Sequence, residues 1–540
     1  REGVTTLMAR AIEIYDTTLR DGTQAENFNI SVDDKVRITS ALDELGVDYI
    51  EGGWPGSNPM SVEFFNKIKS TRLSHAKLCA FGSTRHIKNK AEQDPNLQAM
   101  LEAQTPVITI FGKSWDVHVT DALNIRLEEN LQIIEDSLAF LKSRVDELIY
   151  DAEHFFDGFK NNPDYALATL ERAVSGGADT LVLCDTNGGT LPQELPAIIA
   201  SVREHFGDKT PVKLGIHSHN DSETGVANAL IAVDQGIEHV QGTINGFGER
   251  CGNANLTSIL PALIYKMGLT CQAADHIEQL YATSRLVNEM ANLRHNRYQP
   301  YVGESAFAHK GGIHVSAVKR NPLTYEHLDP EKVGNHRRIL ISDQSGRSNI
   351  LHKAKKWGIN LKPNDPLLAS IISDLKEKEN QGYQYEAAEA SFELLMRNAL
   401  GVQRKFFRTD GFRVMNNKYR MDRPPLTEAT IRLYVGGHEV HTASMGDGPV
   451  NALDRALRKA LTRFYPVLEE MELTDYKVRV LSGEYGTEAK VRVLVESTDG
   501  KCQWRTVGVS INIIEASWQA LIDSVNYKLM KEENGFGSAA

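Results

Sequence analysis

The sequence predicts an α/β protein in which a (β/α)8 TIM barrel is followed by a mostly helical region and a C-terminal α+β domain with an internal duplication. Two observations predict the barrel. Short apolar segments alternate with amphipathic stretches eight times over roughly 250 residues, the span typical of such a barrel. These segments begin every 26 to 40 residues. A doubly wound open sheet is the alternative, but eight repeated units fit a closed barrel better.

The eight predicted strands are short, apolar and rich in β-branched residues or leucine, as buried parallel strands are. In chain order they are Ile12–Tyr15, Asp48–Gly52, Lys77–Phe81, Val107–Phe111, Glu147–Tyr150, Thr180–Cys184, Lys213–Ile216 and His239–Thr243. The amphipathic stretches that predict helices between them include Val32–Leu45, Arg126–Arg144, Pro163–Ser175 and Pro192–His205. An N-cap pattern at Ser31 opens the first helix, and Gly46 closes it. The barrel is therefore predicted over residues 11–285.

The pattern changes after residue 285. We predict that residues 286–425 form a mostly helical linker region, with amphipathic helices at Ile371–Lys378 and Ala387–Leu400. The stretch Arg408–Pro425 is basic and ends in proline, which predicts a linker. Residues 426–530 contain two strand–turn–strand–helix units in tandem, with turns at Gly436-Gly437 and at Asp499-Gly500. This duplication predicts a small α+β domain, and it carries no catalytic motif.

Composition and charge exclude several classes of protein. The chain has 60 lysines and arginines against 71 aspartates and glutamates, and its net charge of −11 argues against a general binder of nucleic acid or anionic membranes. Its five cysteines are far apart and form no CxxC pair, which excludes a disulfide framework and predicts a reducing, cytoplasmic location. No apolar run is long enough to span a bilayer, and no secretory signal is visible.

Candidate metal ligands follow the predicted strands, whose carboxyl ends form the active-site rim of a (β/α)8 barrel. His217 and His219 are two residues apart on the seventh strand, so both imidazoles face the same side. A carboxylate after the first strand, where Asp16 and Asp21 lie, would complete a site of two histidines and one carboxylate with open positions. The alternative is a pair of core histidines. A divalent ion held in this way favours an anionic, chelating substrate such as an α-keto acid.

The loop after the eighth strand, Gly246–Asn253, lacks the glycine spacing of a dinucleotide-binding loop. It occupies a place where barrels often hold phosphate groups, which predicts a phosphate-bearing cofactor. A tight structural turn is the alternative interpretation.

Three motifs together resemble those of one enzyme family. The segments DTTLRDG from Asp16, HSHND from His217 and GERCGN from Gly248 resemble the DRE-TIM metallolyases, which include the isopropylmalate, homocitrate and citramalate synthases and related lyases. The GDGP segment from Gly446, before a helix rich in alanine and leucine, resembles the C-terminal regulatory domain of these synthases. The resemblance covers roughly residues 11–530.

Two further segments indicate which members of the family the chain resembles most. The segments from Ile50 to Pro59 and from Tyr150 to Gly158 are most similar to the long bacterial-type citramalate synthases. A divalent metal (Zn, Mn or Mg) and acetyl-CoA as co-substrate are then implied. The implied reaction is a Claisen-type condensation of acetyl-CoA with pyruvate, followed by thioester hydrolysis to citramalate and CoA in the service of isoleucine biosynthesis.

The resemblance also implies roles for individual residues. The implied metal ligands are Asp21, His217, His219 and Asn253. Arg20 is expected to polarise the keto oxygen and to hold the developing alkoxide, and Thr186 to hydrogen-bond the carboxylate of the keto acid. Glu153 matches the glutamate of the fifth strand, although its neighbours depart from the usual pattern of the family. Glu249 is expected among the substrate-binding residues.

The segment Ala306–His314 resembles the part of the family that supplies the catalytic base. His314 is then the candidate base and His309 an auxiliary group. This segment lies well past the eighth strand, and it would reach the rim most simply by crossing to another subunit. The resemblance therefore implies a homodimer with composite active sites, and it implies an allosteric effector at the C-terminal domain, with isoleucine as the best candidate.

Five alternatives remain open at this stage. The nearest are a 2-isopropylmalate synthase and a homocitrate synthase, which act on longer keto acids; Trp54 at the rim favours a small substrate. A retro-aldol lyase of the family usually lacks the duplicated C-terminal domain. A biotin-dependent carboxyltransferase would need a Met-Lys-Met acceptor, which the sequence does not contain. A catalytically silent metabolite sensor is the last alternative.

Overall fold

The computed structural model of the chain describes residues 11–207, 212–342, 345–419, 421–422, 424–481 and 489–533. They form two compact units. The first extends to Phe307 and includes His327–Arg337, and the second comprises Ala308–Glu326 and the chain from Arg338 onward. Each unit has a hydrophobic core of its own.

Eight parallel strands form a closed barrel in the first unit. The strands are β1 (Glu13–Asp16), β2 (Tyr49–Gly53), β3 (Lys77–Ser83), β4 (Val107–Lys113), β5 (Glu147–Glu153), β6 (Thr180–Asp185), β7 (Lys213–Ser218) and β8 (His239–Gly242). Each strand pairs with the next in chain order, and β8 closes the barrel on β1, where Val240 lies opposite Ile14. Every strand begins within one residue of its predicted start, and the predicted fold class is confirmed.

Helices cover the outside of the barrel, as the amphipathic stretches predict. They are α1 (Val32–Leu45), α2 (Pro59–Ile68), α3 (Pro95–Glu102), α4 (Leu127–Lys142), α5 (Phe155–Asn161), α6 (Pro163–Ser175), α7 (Leu195–Phe206), α8 (Gly225–Asp234), α9 (Leu256–Tyr265) and α10 (Leu280–Met290). A reciprocal capping box between Ser31 and Asp34 begins α1, and Gly46 ends it with a left-handed φ of 83°. Inside the barrel, aromatic and small side chains form a separate buried cluster of Tyr15, Tyr49, Cys79, Val107, Ile149, Val182 and Cys184.

The second unit begins with short helices. Its first elements are β9 (Ala308–His309), α11 (Gly312–Arg320), β10 (Arg338–Ile339), α12 (Arg347–Lys356), α13 (Pro366–Asn380) and α14 (Glu389–Ala399), and β9 pairs with β10. The two helices predicted between residues 371 and 400 are therefore confirmed as α13 and α14.

Two similar halves follow. The first half consists of β11 (Arg408–Asn417), β12 (Leu426–Val435), β13 (His438–Gly446) and α15 (Pro449–Leu461). The second consists of β14 (Glu472–Val480), β15 (Val491–Thr498), β16 (Gln503–Ser510) and α16 (Ile513–Glu533). Each half is a three-stranded antiparallel sheet followed by a helix. Gly436 and Gly437 make the predicted turn between β12 and β13, with left-handed φ values of 56° and 87°.

The predicted linker at Arg408–Pro425 is wrong, because most of it forms strand β11. The sequence prediction missed the first strand of each half, β11 and β14, for the same physical reason. Both lie at the edge of their sheets, and most of their residues are at least partly exposed, so they lack the apolar alternation by which the central strands are recognised.

Within the part of the chain that the structure describes, none of the helices has the length and apolar character needed to cross a bilayer.

Candidate metal-binding active site

Three buried side chains from two strand ends converge at the carboxyl rim of the barrel. Asp21 follows β1, whereas His217 lies in β7 and His219 directly after it. One ligand atom from each residue lies within 4.8 Å of the other two. Asp21 Oδ2 is 3.4 Å from His217 Nε2 and 3.8 Å from His219 Nε2. None of the three residues is more than 5% exposed. The structure thus brings together the two histidines and the carboxylate that the sequence singles out.

Several polar atoms at this cluster lack the hydrogen bonds that buried polar atoms ordinarily make. Among the described residues, Asp21 Oδ1, His219 Nδ1 and Asn253 Oδ1 are buried without a hydrogen-bond partner. The other carboxylate after β1 differs, because the two oxygens of Asp16 accept hydrogen bonds from the backbone N–H and the hydroxyl of Thr18, at 2.9 and 2.8 Å. Nitrogen and oxygen donors in an open site suit a divalent ion. The residues therefore fit such an ion, with Asp21 rather than Asp16 as the carboxylate.

The ionisation of Asp21 and His219 also suits a cation. Burial alone would raise the pKa of Asp21, but Arg20, His217 and His219 outweigh burial and hold that pKa well below its usual range. Burial and, to a smaller extent, the neighbouring His217 lower the pKa of His219 to about 4. At neutral pH the site contains an ionised carboxylate and an uncharged His219, which are the forms that bind metal ions.

Arg20 is fixed beside Asp21 by a buried carboxylate. Its Nε donates to Glu51 Oε1 at 2.5 Å, and its Nη1 lies 3.4 Å from Asp21 Oδ2. Glu51 is fully buried and also accepts from the hydroxyls of Thr17, at 2.5 Å, and Tyr15, at 2.6 Å. A guanidinium held in this way needs little reorganisation to stabilise negative charge that develops on a substrate oxygen.

His217 is oriented from behind by an amide. Its Nδ1 lies 2.9 Å from Gln241 Oε1, and Gln241 Nε2 donates to Asp151 Oδ1 at 3.1 Å. Because the carboxylate accepts from the amide nitrogen, the amide oxygen accepts from His217 Nδ1–H. The Nε2 of His217 is then left to face Asp21 and a metal ion.

Asn253 is held next to His219 by backbone pairing. The two residues form an isolated antiparallel bridge, and the N–H of Asn220 donates to the carbonyl of Gly252 at 2.8 Å. A Cβ at Gly248 would lie 2.2 Å from Asn253 Nδ2, so only glycine fits there. The loop after β8 therefore has a structural reason for its glycine at 248, and the phosphate-bearing cofactor expected at this loop stays a prediction.

The remaining rim residues expected from the sequence have partners of their own. Thr186, after β6, accepts the backbone N–H of His154 on its Oγ1 at 2.9 Å. Glu153, at the end of β5, forms an ion pair with Lys113 at the end of β4. The side chain of Glu249 is 62% exposed. The roles of Thr186, Glu153 and Glu249 stay predictions.

An aromatic cluster adjoins Arg20. The rings of Phe81 and Phe111 are stacked, with centroids 5.4 Å apart, and Trp54 meets both edge-on. The Arg20 guanidinium lies over the Phe81 ring, 3.8 Å from its centroid. Trp54 Nε1 donates to Asn96 Oδ1 at 2.6 Å, which fixes the indole. We call Trp54, Phe81 and Phe111 the aromatic wall.

The two histidines expected from the segment after the barrel lie in the second unit. His314 is an exposed residue of α11, and its ring stacks on Tyr325 with centroids 4.1 Å apart. His309 Nε2 is 2.9 Å from Glu326 Oε1, and both residues are buried. The roles of His314 as the base and of His309 as its auxiliary stay predictions.

Sequence reasoning missed the roles of Glu51 and Gln241. The sequence carried a signal for both. Glu51 lies two residues after Tyr49 in β2, and Gln241 lies two residues after His239 in β8. Residues spaced by two on a strand point to the same face, so all four side chains share the barrel interior with His217.

Comparisons with protein families match nearly the whole chain. A family model described as HMGL-like matches residues 11–287. A model described as homocitrate synthase post-HMGL domain-like matches residues 301–382, and one described as LeuA allosteric (dimerisation) domain matches residues 386–529.

Individual relatives are similar over their full length. An (R)-citramalate synthase of Geobacter sulfurreducens is 59% identical over 98% of this chain and 99% of its own. One of Aquifex aeolicus is 56% identical over 97% of this chain and 99% of its own. A probable 2-isopropylmalate synthase of Methanopyrus kandleri is 32% identical over 96% of this chain and 98% of its own.

Proposed function

Because the chain belongs to the (R)-citramalate synthase family of the HMGL-like enzymes, we propose that it condenses the acetyl group of acetyl-CoA with pyruvate and releases citramalate and CoA. The observation that carries this proposal is the position of Arg20 next to the converging Asp21, His217 and His219. One small anionic substrate could therefore contact both the fixed guanidinium and a divalent ion. Activation of a keto group requires this combination.

The metal site is proposed to consist of Asp21, His217 and His219, with Asn253 beside them, and to take Zn, Mn or Mg. An ion bound there would supply Lewis-acid polarisation of the keto group of pyruvate. Arg20 would stabilise the negative charge that develops on the keto oxygen, since Glu51 holds the guanidinium in place. The Thr186 hydroxyl would donate a hydrogen bond to the pyruvate carboxylate, and Glu249 would line the same site.

The condensation needs a base that removes one proton from the methyl group of acetyl-CoA. We propose His314 for this step, with His309 as an auxiliary, because the segment Ala306–His314 resembles the part of the family that supplies the base and His314 is exposed on α11. The methyl carbon then bonds to C2 of pyruvate, and the keto oxygen becomes an alkoxide that takes up a proton. Water adds to the thioester carbonyl, and CoA leaves as the thiol.

Glu153 is the second candidate for the base. Exchange of solvent deuterium into the acetyl methyl group, measured with an unreactive keto-acid analogue, isolates the proton abstraction. His314→Asn should slow this exchange with little change in pyruvate affinity. Unchanged exchange would reject His314 in favour of Glu153.

We propose that the protein is a homodimer with composite active sites and that isoleucine binds its C-terminal domain. The match of residues 386–529 to an allosteric and dimerisation domain supports both, as does the duplicated architecture. The division into a barrel at 11–285, a linker region and a regulatory domain that ends at about residue 530 belongs to this proposal. The boundary predicted between residues 425 and 426 is moved to before Arg408, because β11 pairs with β12 in one sheet. Isoleucine should inhibit the full-length protein more strongly than leucine or valine, and equal inhibition by all three would reject isoleucine as the specific effector.

The cytoplasm is the proposed location. All five cysteines are free, and Cys79, Cys184 and Cys271 are buried, which suits a reducing compartment. Oxidation of these cysteines in protein isolated directly from cells would contradict it.

Pyruvate is favoured over longer keto acids by two observations. The aromatic wall stands against Arg20, and three large rings beside the cation that would face the keto oxygen suit a substrate with a methyl side chain. Five relatives named (R)-citramalate synthases are 45–59% identical, whereas two named 2-isopropylmalate synthases are 32% and 29% identical and one named a putative (R)-citramalate synthase is 30% identical. A 2-isopropylmalate or homocitrate synthase is therefore the second candidate.

Release of free CoA thiol tests the proposal directly. The full-length protein with a divalent metal and acetyl-CoA is assayed with pyruvate, 2-oxoisovalerate and 2-oxoglutarate in parallel. Pyruvate should give the highest kcat/KM, with citramalate as the product. A preference for 2-oxoisovalerate or 2-oxoglutarate would establish the second candidate, and no release with any of the three would indicate a sensor without activity.

A further inference from the structure

One arginine connects the three loops that follow β6, β7 and β8. Arg250 lies in the loop after β8, and its Nε donates to Asp221 Oδ1 at 2.8 Å. Its Nη2 donates to Asp221 Oδ2 at 3.1 Å and to the carbonyl oxygen of Thr186 at 2.6 Å. Asp221 follows β7 and Thr186 follows β6. A single guanidinium therefore holds together the loops that carry Thr186, His219 and Asn253.

The backbone is shaped for this contact. Arg250 has a left-handed φ of 57°, a conformation that residues with a Cβ adopt rarely. Gly188 faces Asp221 from the loop after β6, also at a left-handed φ, of 61°. A Cβ at Gly188 would lie 2.6 Å from Asp221 Oδ2 and 2.7 Å from its backbone nitrogen. The loop after β6 thus leaves room for the carboxylate that Arg250 binds.

Thr186 is fixed at two points, and this determines what its hydroxyl can do. Its carbonyl accepts from Arg250, and its Oγ1 accepts the backbone N–H of His154. A hydroxyl oxygen that already accepts a hydrogen bond keeps its O–H to donate. The direction of that donor depends on the backbone position of Thr186, which Arg250 holds from one side.

We propose that Arg250 is a positioning residue for the keto acid: it keeps the Thr186 hydroxyl directed at the substrate carboxylate. This inference rests on the proposed function. Asn253, in the same loop, has independent supports, because its backbone N–H donates to the carbonyl of Gly246 at 3.0 Å and it bridges to His219. Loss of Arg250 should therefore weaken binding of the keto acid while the metal site persists.

The geometry requires arginine in particular. Arg250 binds three acceptor oxygens at once, the two carboxylate oxygens of Asp221 and the carbonyl oxygen of Thr186. The planar guanidinium reaches all three with only two of its nitrogens. The ammonium of a lysine is a point charge and cannot hold the carboxylate in two places while it also reaches the carbonyl. Arg250→Lys therefore keeps the positive charge but loses the simultaneous hydrogen bonds to Asp221 and Thr186.

The test compares Arg250→Lys and Arg250→Ala with the unaltered full-length protein. Three quantities are measured: the Kd of pyruvate by calorimetry without acetyl-CoA, the KM values of both substrates, and the bound metal. Each substitution should weaken pyruvate binding about tenfold or more, because an aligned hydrogen bond to a carboxylate is lost. The KM of acetyl-CoA and the bound metal should stay unchanged. Arg172→Lys is the matched control, because Arg172 pairs with Glu135 at 2.8 Å on the outer helices at similar exposure.

A double-mutant cycle with Thr186→Val shows whether Arg250 acts through the hydroxyl. If it does, Arg250→Ala should weaken pyruvate binding less than twofold once the Thr186 hydroxyl is absent. The proposal would be overturned if the losses of pyruvate binding in the two single variants added up in the double variant. It would also be overturned if the Kd of pyruvate in the Arg250 variants were unchanged, or if bound metal fell in proportion to activity. Should Arg250→Ala fail to fold, Arg250→Lys gives the same comparison. Failure of the proposed function would differ, because then the unaltered protein would not turn over pyruvate.

Discussion

His217 donates a hydrogen bond from its Nδ1 to Oε1 of Gln241, over 2.9 Å, and the amide is itself held by Asp151. This chain of three buried side chains crosses the barrel interior from β5 through β8 to β7. It determines which imidazole nitrogen faces Asp21. The metal site proposed here therefore depends on residues behind it as much as on its ligands.

Removal of one imidazole should empty the metal site. We expect His217→Ala or His219→Ala to lower bound metal from about one ion per chain to near zero, with turnover reduced about a thousandfold or more. The far-UV circular dichroism should be unchanged, since both side chains lie at the rim. Metal content is measured on purified protein by elemental analysis.

His205→Ala is the control for this experiment, because His205 lies at the end of α7 and pairs with Glu171. It should retain both metal and activity. A His217 or His219 variant with full metal content and full rate would reject the site.

Removal of the amide behind His217 should weaken the site without emptying it. Gln241→Leu preserves the volume but leaves His217 Nδ1 without its acceptor, so we expect metal affinity to fall about ten- to a hundredfold. The affinity is measured by competition with a chelator. Gln235→Leu, at the outer end of α8, should leave the affinity unchanged, and equal effects of the two substitutions would show that Gln241 does not orient the ligand.

Enlargement of the pocket should change the preferred keto acid. Trp54→Ala removes the ring that meets both Phe81 and Phe111, and we expect the kcat/KM ratio of 2-oxoisovalerate to pyruvate to rise about tenfold. Trp357→Leu, a buried tryptophan of the second unit, is the control for a loss of stability without a change of pocket. An unchanged ratio in Trp54→Ala would mean that the aromatic wall does not limit substrate size.

The stability of the second unit should depend on pH through Asp523. Burial raises the pKa of this carboxyl to about 6, although a hydrogen bond from Ser391 opposes the shift. The folded state therefore binds the proton more tightly than the unfolded state, and the free energy of unfolding should fall as the pH rises from about 4 to about 6. The expected loss is at most about 3 kcal/mol.

Asp523→Asn should remove this fall, because the amide does not ionise and its geometry still accepts from Ser391. Denaturant unfolding between pH 4 and pH 8 measures it. Asp374→Asn, an exposed residue of the same unit, should leave the pH dependence as it is. A fall of equal size in Asp523→Asn would assign the effect to other groups.

Much of the barrel could be predicted because its strands are buried on both faces and read as short apolar runs. His217 and His219 could be recognised because a spacing of two on a strand fixes their common direction. The edge strands β11 and β14 could not be predicted, because much of their surface is exposed and their residues show no apolar alternation. Arg250 gave no such signal either, because its contacts join loops from three separate parts of the chain.

Anomalous diffraction from crystals of the full-length protein loaded with Zn²⁺ and pyruvate tests the central claim most directly. One anomalous peak should lie within bonding distance of Asp21, His217 Nε2 and His219 Nε2. The pyruvate carboxylate should lie within hydrogen-bond distance of the Thr186 hydroxyl, with the keto oxygen facing Arg20. An ion held by other residues, or pyruvate bound away from Arg20, would contradict the assignment of this rim as the active site.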